Sequence, residues 1–274
     1  MNRAGIISGA LALLGTSVAQ ADVHPFLTDK YVFQAGAFFS RADLNGAVNS
    51  EISGDNPVID FDKRFGISKS QDLAALEFFW RFTPRWSAQL QYFAPDRSAT
   101  AVLDEDVAFG EAVFEQGSSV TASSGFELLR LFFGRNFSKR ENMNYGVGAG
   151  LHRIDIDLSV SGNAIVNGEP VFNETRAAGA TAPLPNIGAW YDWSPSPKWL
   201  VGARIDWLDA SVGDYSGGLL NAAFGVNYRL FEHMGLGAKY QVFGLDLEVD
   251  KPSWRGNVDV SYEGAYVYVS ANWN

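Results

Sequence analysis

Trp199-Leu-Val-Gly-Ala-Arg-Ile-Asp-Trp207 has a large or apolar side chain at every second position, with mostly small or charged side chains between them. The segments 86–92, 145–151 and 234–240 have the same pattern, and each of the four follows a short polar turn. Because successive side chains of a strand point to opposite faces, each segment predicts a β-strand with one apolar face and one polar or small face.

The segment before each of these turns ends in aromatic residues, as in Phe78-Phe-Trp-Arg-Phe82 and Trp190-Tyr-Asp-Trp193. A soluble β-sandwich has the same alternation, but aromatic residues gathered at one end of every hairpin are typical of a membrane interface. The pattern therefore predicts an all-β chain, a transmembrane up-and-down antiparallel β-barrel.

Alternation along the whole chain predicts ten strands, with eight or twelve as open alternatives. Four connections are short turns, three are long and rich in Gly, Ser, Asn and acidic residues, at about 42–73, 96–125 and 159–184, and two are shorter, near 214–218 and 251–257. Residues 58–63 of the first long connection could pair with 47–53 as an extra hairpin, and we favour an extension of the first two strands. Short periplasmic turns and long extracellular loops are the usual construction of outer-membrane barrels. The predicted strands are 30–41, 74–83, 86–95, 126–137, 144–158, 185–193, 199–213, 218–231, 234–249 and 258–273.

The N-terminus has the features of an export signal. Arg3 precedes an apolar run over 4–14, and Ala19-Gln-Ala21 has the small residues of a cleavage site. We predict that residues 1–21 are a cleaved signal peptide and that 22–274 form a single barrel domain in the outer membrane of a Gram-negative bacterium. The formal net charge of −10 argues against nucleic acid as a partner, because nucleic-acid binding needs clustered Lys and Arg.

As a pattern over the mature chain, the sequence resembles the superfamily of small outer-membrane barrels that includes OmpA-, OmpX- and OmpW-like proteins, many without an assigned function. The last strand has the outward row Ala265, Val267, Val269, Ala271 and Trp273, although Asn274 follows the final aromatic residue. The resemblance implies that the barrel assembly machinery recognises this strand. It also implies that outer-membrane lipid and lipopolysaccharide surround the folded barrel.

If the apolar row faces lipid, the alternate row faces the lumen, where five basic residues meet three acidic ones and a histidine. Unpaired charges in a narrow lumen would be costly. We therefore predict a salt-bridge network that largely plugs a structural barrel, with a narrow, porin-like pore for small anions as the alternative. The predicted lumen charge network is Glu77, Arg81, Arg130, His152, Asp192, Arg204, Asp206, Arg229 and Lys239.

Further along the same strands the polarity inverts, so that acidic residues take the outward phase and apolar residues the inward phase. The predicted apolar vestibule consists of Ile154, Ile156, Leu208, Phe243 and Leu245. Two interpretations remain: loop side chains such as Phe61, Val107 and Phe114 fill this core, or a small hydrophobic molecule binds in or passes through it. A shift of phase at a β-bulge would remove the pattern.

We find no convincing catalytic constellation and predict that the chain is not an enzyme, with a barrel-type hydrolase as a disfavoured alternative. There are three histidines, and His152 is predicted opposite about Leu129, near Arg130 and without a serine at that level. Asp155 and Asp157 have the outward phase. The acidic run 104–106 lacks the spacing of a calcium loop, and no motif indicates a metal or cofactor.

Overall fold

The computed structural model describes residues 23–48, 59–109, 112–166, 169–251 and 254–274, and the predicted signal peptide lies outside them. Nearly all of the described chain is antiparallel β-structure, with one short helix, α1, at Phe61–Phe65. The strands are β1 Tyr31–Val48, β2 Ile59–Asp60, β3 Ser70–Arg81, β4 Trp86–Phe93, β5 Asp96–Val102, β6 Val107–Phe109, β7 Ala112–Phe114, β8 Ser119–Asn136, β9 Met143–Val166, β10 Glu169–Ser196, β11 Trp199–Val212, β12 Tyr215–Arg229, β13 Met234–Lys251 and β14 Trp254–Trp273.

Ten of these strands close into an antiparallel barrel, which confirms the predicted all-β barrel and its strand number. Around the ring the order is β1, β3, β4, β8, β9, β10, β11, β12, β13 and β14, and pairing of β14 with β1 completes the circle. β5 continues β4 after Ala94 and Pro95, and pairs with β8 just as β4 does.

The two ends of the barrel differ, and we name them by their connections. At the turn end, strands are joined by the short segments 82–85, 137–142, 197–198 and 230–233. At the hairpin end, β9 and β10 remain paired as far as Val166 and Glu169. The connection predicted as a loop over 159–184 is therefore a paired hairpin, because the alternation continues in small and polar residues that carry no apolar signal.

The other two predicted long loops also contain regular structure. The segment 96–125 includes β5, the short hairpin of β6 and β7, and the first part of β8. β7 pairs with the end of β9, at Ala112 and Val166. β1 extends to Val48, as in the favoured extension, but its pairing with β3 ends at Arg41 and Ser70. Beyond that point β1 pairs with β2 of the 58–63 segment through Asn45 and Gly46, directly before residues 47–53 of the alternative hairpin.

A short 3₁₀ turn at Pro25–Leu27 lies across the turn end of the barrel. The backbone N–H of His24 donates to Ser194 Oγ at 2.9 Å, and Asn272 donates to the Asp29 carboxylate at 2.6 Å. Arg81 donates from its two terminal nitrogens to the carbonyl oxygens of Asp29 and Phe26, at 2.8 and 3.1 Å. These contacts fix the N-terminal turn inside the barrel mouth.

The barrel wall has two zones of opposite polarity. In the zone near the turn end, large apolar side chains are exposed on the outside, for example Trp199, Ile205 and Trp207 on β11. Towards the hairpin end the outside becomes polar, as at Asp246 on β13, while Leu245 and Leu247 of the same strand are buried inside. Among the described residues, no helix is long and apolar enough to cross a membrane.

Candidate functional site: the barrel interior

Asp206 is the centre of a polar network inside the barrel. Its side chain is fully buried and accepts hydrogen bonds from Arg204 Nε at 2.8 Å and Nη2 at 2.6 Å. The side-chain amides of Asn186 and Asn221 donate to the two carboxylate oxygens at 3.3 and 3.1 Å, and Arg130 lies 3.5 Å away. Two cations thus share one carboxylate whose desolvation is offset by several donors.

The network continues across the lumen to a second ion pair. Arg130 donates to Gln91 at 3.1 Å, and Gln91 donates to Glu77 at 3.1 Å. Glu77 accepts from Lys239 Nζ at 2.6 Å. The hydrogen-bonded side chains come from eight of the ten barrel strands, namely β1, β3, β4, β8, β10, β11, β12 and β13.

The structure brings together five of the nine predicted network residues: Glu77, Arg130, Arg204, Asp206 and Lys239. Arg81 binds the N-terminal turn instead. Among the described residues Arg229 and Asp192 form no ion pair, and Asp192 has one hydrogen bond, from Asn144 Nδ2 at 3.4 Å. Strand phase predicts which residues face inward, but the partner of each depends on how far along the barrel its side chain extends.

His152 faces the interior and is 1% exposed, and neither ring nitrogen has a hydrogen-bond partner. Its cross-strand neighbour is Arg130, one residue away from the predicted Leu129. Asp155 is on the outer face, where it binds Arg153 at 2.8 Å and the hydroxyl of Thr181. His152 and Asp155, two residues considered for a hydrolase site, therefore lie on opposite faces of the wall. No group of three or more His, Cys, Asp or Glu suited to a metal occurs in the described segments.

The predicted vestibule residues lie in a packed core. Ile154, Ile156, Phe243 and Leu245 are at most 3% exposed, and Leu208 packs against the same core. Five rings fill the cross-section between the polar network and the hairpin end, with centroids 5.3–6.4 Å apart: Phe38, Phe93, Phe126, Phe243 and Tyr262.

Loop side chains cover this core at the hairpin end. Val107, Phe109 and Phe114 of the β6–β7 hairpin are buried, as are Phe65 and Ile67 near α1. The side chain of Phe61, also predicted to fill the core, lies outside what the structure describes. Arg64 of α1 forms ion pairs with Asp104 and Glu105, which ties the helix to the acidic loop.

Trp190 is an interior residue that sequence reasoning missed. Its ring lies edge-on to Phe132, with centroids 6.1 Å apart. A Cβ at Gly146 would lie 2.6 Å from the indole, and one at Gly134 would also clash with it. Small residues at inward positions of β8 and β9 were a signal that a large side chain enters from a neighbouring strand.

A cavity of about 180 Å³ remains between the polar network and the N-terminal turn. Phe26 of the turn, Trp190, Asp192, Arg204 and Tyr268 are among the residues that line it. The interior therefore consists, from the turn end, of the N-terminal turn, a polar cavity, the ion network and the aromatic core.

The closed ring can be compared with solved structures. It is similar to the outer membrane protease OmpT from Escherichia coli, with a TM-score of 0.58 and 8% identity, over 94% of this chain and 100% of that chain. The chain has the fold of an outer-membrane β-barrel. This confirms the predicted likeness to outer-membrane barrels at the level of fold, while likeness to the OmpA, OmpX or OmpW groups stays a prediction.

Two further matches have TM-scores too low to support an argument. The toluene transporter TodX of Pseudomonas putida matches with a TM-score of 0.37 and 11% identity, over 91% of this chain and 92% of that chain. Ail, the attachment invasion locus protein of Yersinia pestis, matches with 0.33 and 9%, over 88% and 98%. No protein-family model and no curated protein matches the sequence.

Proposed function

We propose that the protein is a structural outer-membrane barrel whose lumen is closed, so that it spans the membrane without forming an open diffusion pore. The exposed apolar row on β11 runs from Trp199 to Trp207, a strand length of about 26 Å at 3.3 Å per residue. A strand tilted by about 40° therefore covers about 20 Å, close to the apolar band of known barrels. Lipid would contact this zone, and the polar zone would project from the outer face.

The main evidence that the lumen is closed is the cross-section filled by aromatic rings on the hairpin-end side of the ion network. Phe38, Phe126 and Phe243 come from β1, β8 and β13, around the ring, and each is at least 95% buried. Dense packing of rings from opposite walls leaves little room for a chain of water molecules. In the ion network, on the turn-end side of these rings, the cations bind carboxylates and amides, which favours a plugged lumen over a cation-lined pore.

The packed core also favours the capped interpretation over an apolar vestibule. A binding site for a small hydrophobic molecule is expected to be concave and accessible. Here the core between β8, β9 and β13 is occupied by side chains of the chain itself, and the β6–β7 hairpin lies above it. We propose no enzymatic activity, because the described segments hold no nucleophile, base and orienting group in mutual contact.

Ion conductance of the refolded protein in planar lipid bilayers tests the closure. The wild type should pass no steady current. Phe38→Ala combined with Phe126→Ala should cause brief openings, because it removes two rings from the aromatic layer. The matched control is Phe39→Ala with Phe133→Ala, adjacent or near in sequence but exposed on the outer face at 49% and 51%, and it should stay silent. A steady, ion-selective current through the wild type would contradict closure and support a narrow pore.

The location is tested separately by membrane fractionation and by gel mobility. The protein should sediment with outer membranes, need detergent for extraction, and migrate differently in SDS gels before and after boiling. Recovery as a soluble periplasmic protein would contradict the membrane assignment.

A further inference from the structure

The outer face near the turn end has one charged side chain among apolar ones. On β8, Leu131 and Phe133 are exposed outside, and Arg135 is the next residue in the same outward row. The outward rows of the other barrel strands end in aromatic or other apolar side chains near the turns, as at Trp86 and Trp199. Among the three outward positions nearest the turns on each described barrel strand, Arg135 is the only charged residue. A charge that faced only lipid tails would be costly there.

Two aromatic rings flank the guanidinium of Arg135 on the outer surface. Its Cζ atom lies 5.6 Å from the centroid of the Trp86 ring and 5.7 Å from that of Phe137. The two aromatic residues are themselves 44% and 46% exposed. These distances are in the range of cation–π contacts, which orient the guanidinium but do not neutralise its charge. Arg135 forms no ion pair with any described residue.

Three further cations lie in the two turns next to this arginine. Arg85 precedes β4, and its carbonyl oxygen accepts from the backbone N–H that follows Arg135, at 2.8 Å. Lys139 and Arg140 are in the turn after β8, which also contains the acidic residue Glu141. The side chains of these turn residues are exposed, and none of them forms an ion pair within the described segments. We call Arg85, Arg135, Lys139 and Arg140 the basic patch, a local excess of positive charge in a chain whose formal net charge is −10.

The composition and position of the basic patch favour a phosphate group attached to lipid. A guanidinium binds two phosphate oxygens at once, and ammonium and guanidinium groups nearby add to the attraction. Exposed Trp and other aromatic rings at the edge of an apolar zone lie at the level of lipid headgroups. Clustered Lys and Arg at a membrane surface attract anionic lipids. A free anion in water would contact the turns, but it would gain nothing from the rings on either side of Arg135.

We propose that the basic patch binds the headgroup of an anionic phospholipid in the leaflet at the turn end. Arg135 contacts two oxygens of the phosphodiester, and Lys139 and Arg140 balance its negative charge. The acyl chains pack against Trp86 and Phe137. The proposal rests on the membrane location proposed above, in which this leaflet faces the periplasm.

Native mass spectrometry of the refolded protein in detergent tests the proposal. The probe is dioleoylphosphatidylglycerol, and its counterpart is dioleoylphosphatidylcholine, which has the same phosphodiester but a cationic choline. The first lipid should bind at one site per chain, and the second should bind severalfold more weakly. Arg135→Gln should weaken binding of the phosphatidylglycerol by about tenfold, because it removes a charge-assisted pair. The matched control is Lys198→Gln, which removes an exposed cation from another turn at the same end, and it should leave binding unchanged.

A second variant, Lys139→Gln combined with Arg140→Gln, changes only an exposed turn and should also weaken binding by about tenfold. Inorganic phosphate should not displace the lipid at matched ionic strength, because it has no acyl chains. The gel shift on boiling confirms that each variant is folded. Equal binding of the two lipids to the folded barrel, full affinity in both variants, or displacement by inorganic phosphate would overturn the lipid site and leave the membrane location intact. A protein that stays soluble without detergent would overturn both.

Discussion

On strand β8, the outer face is apolar and the inner face polar near the turn end, and the polarity of the two faces is reversed near the hairpin end. Leu131 and Phe133 are exposed outside while Arg130 is buried inside. Farther along, Ser123 has the outward phase and Ala122 and Val120 are buried inside. The alternation is the same in both zones, and the proposed membrane location accounts for the difference through the surroundings of each zone. Lipid outside favours a polar lumen, and water outside favours an apolar core.

The two zones also differ in what stabilises their interiors. The polar network of the turn-end zone needs each charge to find a specific partner, as Lys239 and Glu77 do. The core of the hairpin-end zone needs only dense packing of apolar side chains. Substitutions of the same chemical type should therefore have different effects in the two zones.

The largest effect is expected for removal of a core ring. Phe243→Ala should lower the free energy of unfolding by about 3–5 kcal/mol, because it leaves a cavity beside Phe126 and Tyr262 in the packed core. Phe224→Ala, on the outer face of neighbouring β12 and 59% exposed, should cost clearly less. Denaturant unfolding of both variants in detergent measures the difference. Equal losses would mean that the core is not tightly packed.

An introduced arginine should distinguish the two zones of the outer face. Leu131→Arg should destabilise the inserted barrel by about 2–4 kcal/mol, because its charge would lie in the apolar band. Ser123→Arg has the same strand and the same face in the polar zone, and it should assemble like the wild type. The assembled fraction in membranes, read from the gel shift on boiling, reports both. If only Ser123→Arg impaired assembly, lipid would contact the zone assigned here to water, and the assignment of the two zones would be wrong.

Ion pairs of the two zones should differ in coupling energy. Lys239 and Glu77 are 16% and 23% exposed inside the barrel, and a double-mutant cycle with Lys239→Met and Glu77→Gln should give a coupling of about 1–3 kcal/mol. The outer pair of Arg153 and Asp155, with Arg153 54% exposed, should give less than about 1 kcal/mol. Strict additivity for the inner pair would indicate independent, solvated charges and an open lumen.

The smallest expected effect concerns the N-terminal turn at acidic pH. Burial lowers the pKa of His24 to about 4, below the ordinary value of about 6.5. The undocked turn therefore binds a proton that the docked turn does not, so docking weakens as the pH falls from 6.5 towards 4 and then levels off. Amide protection at Leu27 and Thr28 should decrease over this range, after correction for intrinsic exchange. His24→Asn should remove the pH dependence, and an unchanged dependence would exclude His24 as its source.

The sequence predicts the phase of each strand well, because alternation depends only on the residue itself and its immediate neighbours. It could not predict partners across the lumen. Gln89 shows why: by its pattern it is only an uncharged residue in the inward phase of β4, yet its side-chain oxygen accepts from Arg204 at 2.5 Å and Arg130 at 3.4 Å. An arginine there would be a third cation at the same place. The sequence also did not predict the interior position of Trp190, because the space for its ring is provided by glycines on β8 and β9.

The loops were predicted least well for a related reason. Residues 159–184 contain few large apolar side chains, so they carry the composition of a loop although they pair as β9 and β10. Their strand character comes from cross-strand hydrogen bonds and from an inner face packed on the core. Neither is visible in local composition.

Cysteine accessibility in intact cells tests the two-zone wall most directly, because the chain contains no cysteine and each substitution gives a unique probe. A membrane-impermeant maleimide should label Ser123→Cys and Ser159→Cys without permeabilisation. It should leave Ala149→Cys and Val201→Cys unlabelled, even in permeabilised cells, because lipid covers them. Lys139→Cys, in a turn at the opposite end, should react only after permeabilisation. Labelling at Ala149 and Val201 together with protection at Ser123 and Ser159 would contradict the account.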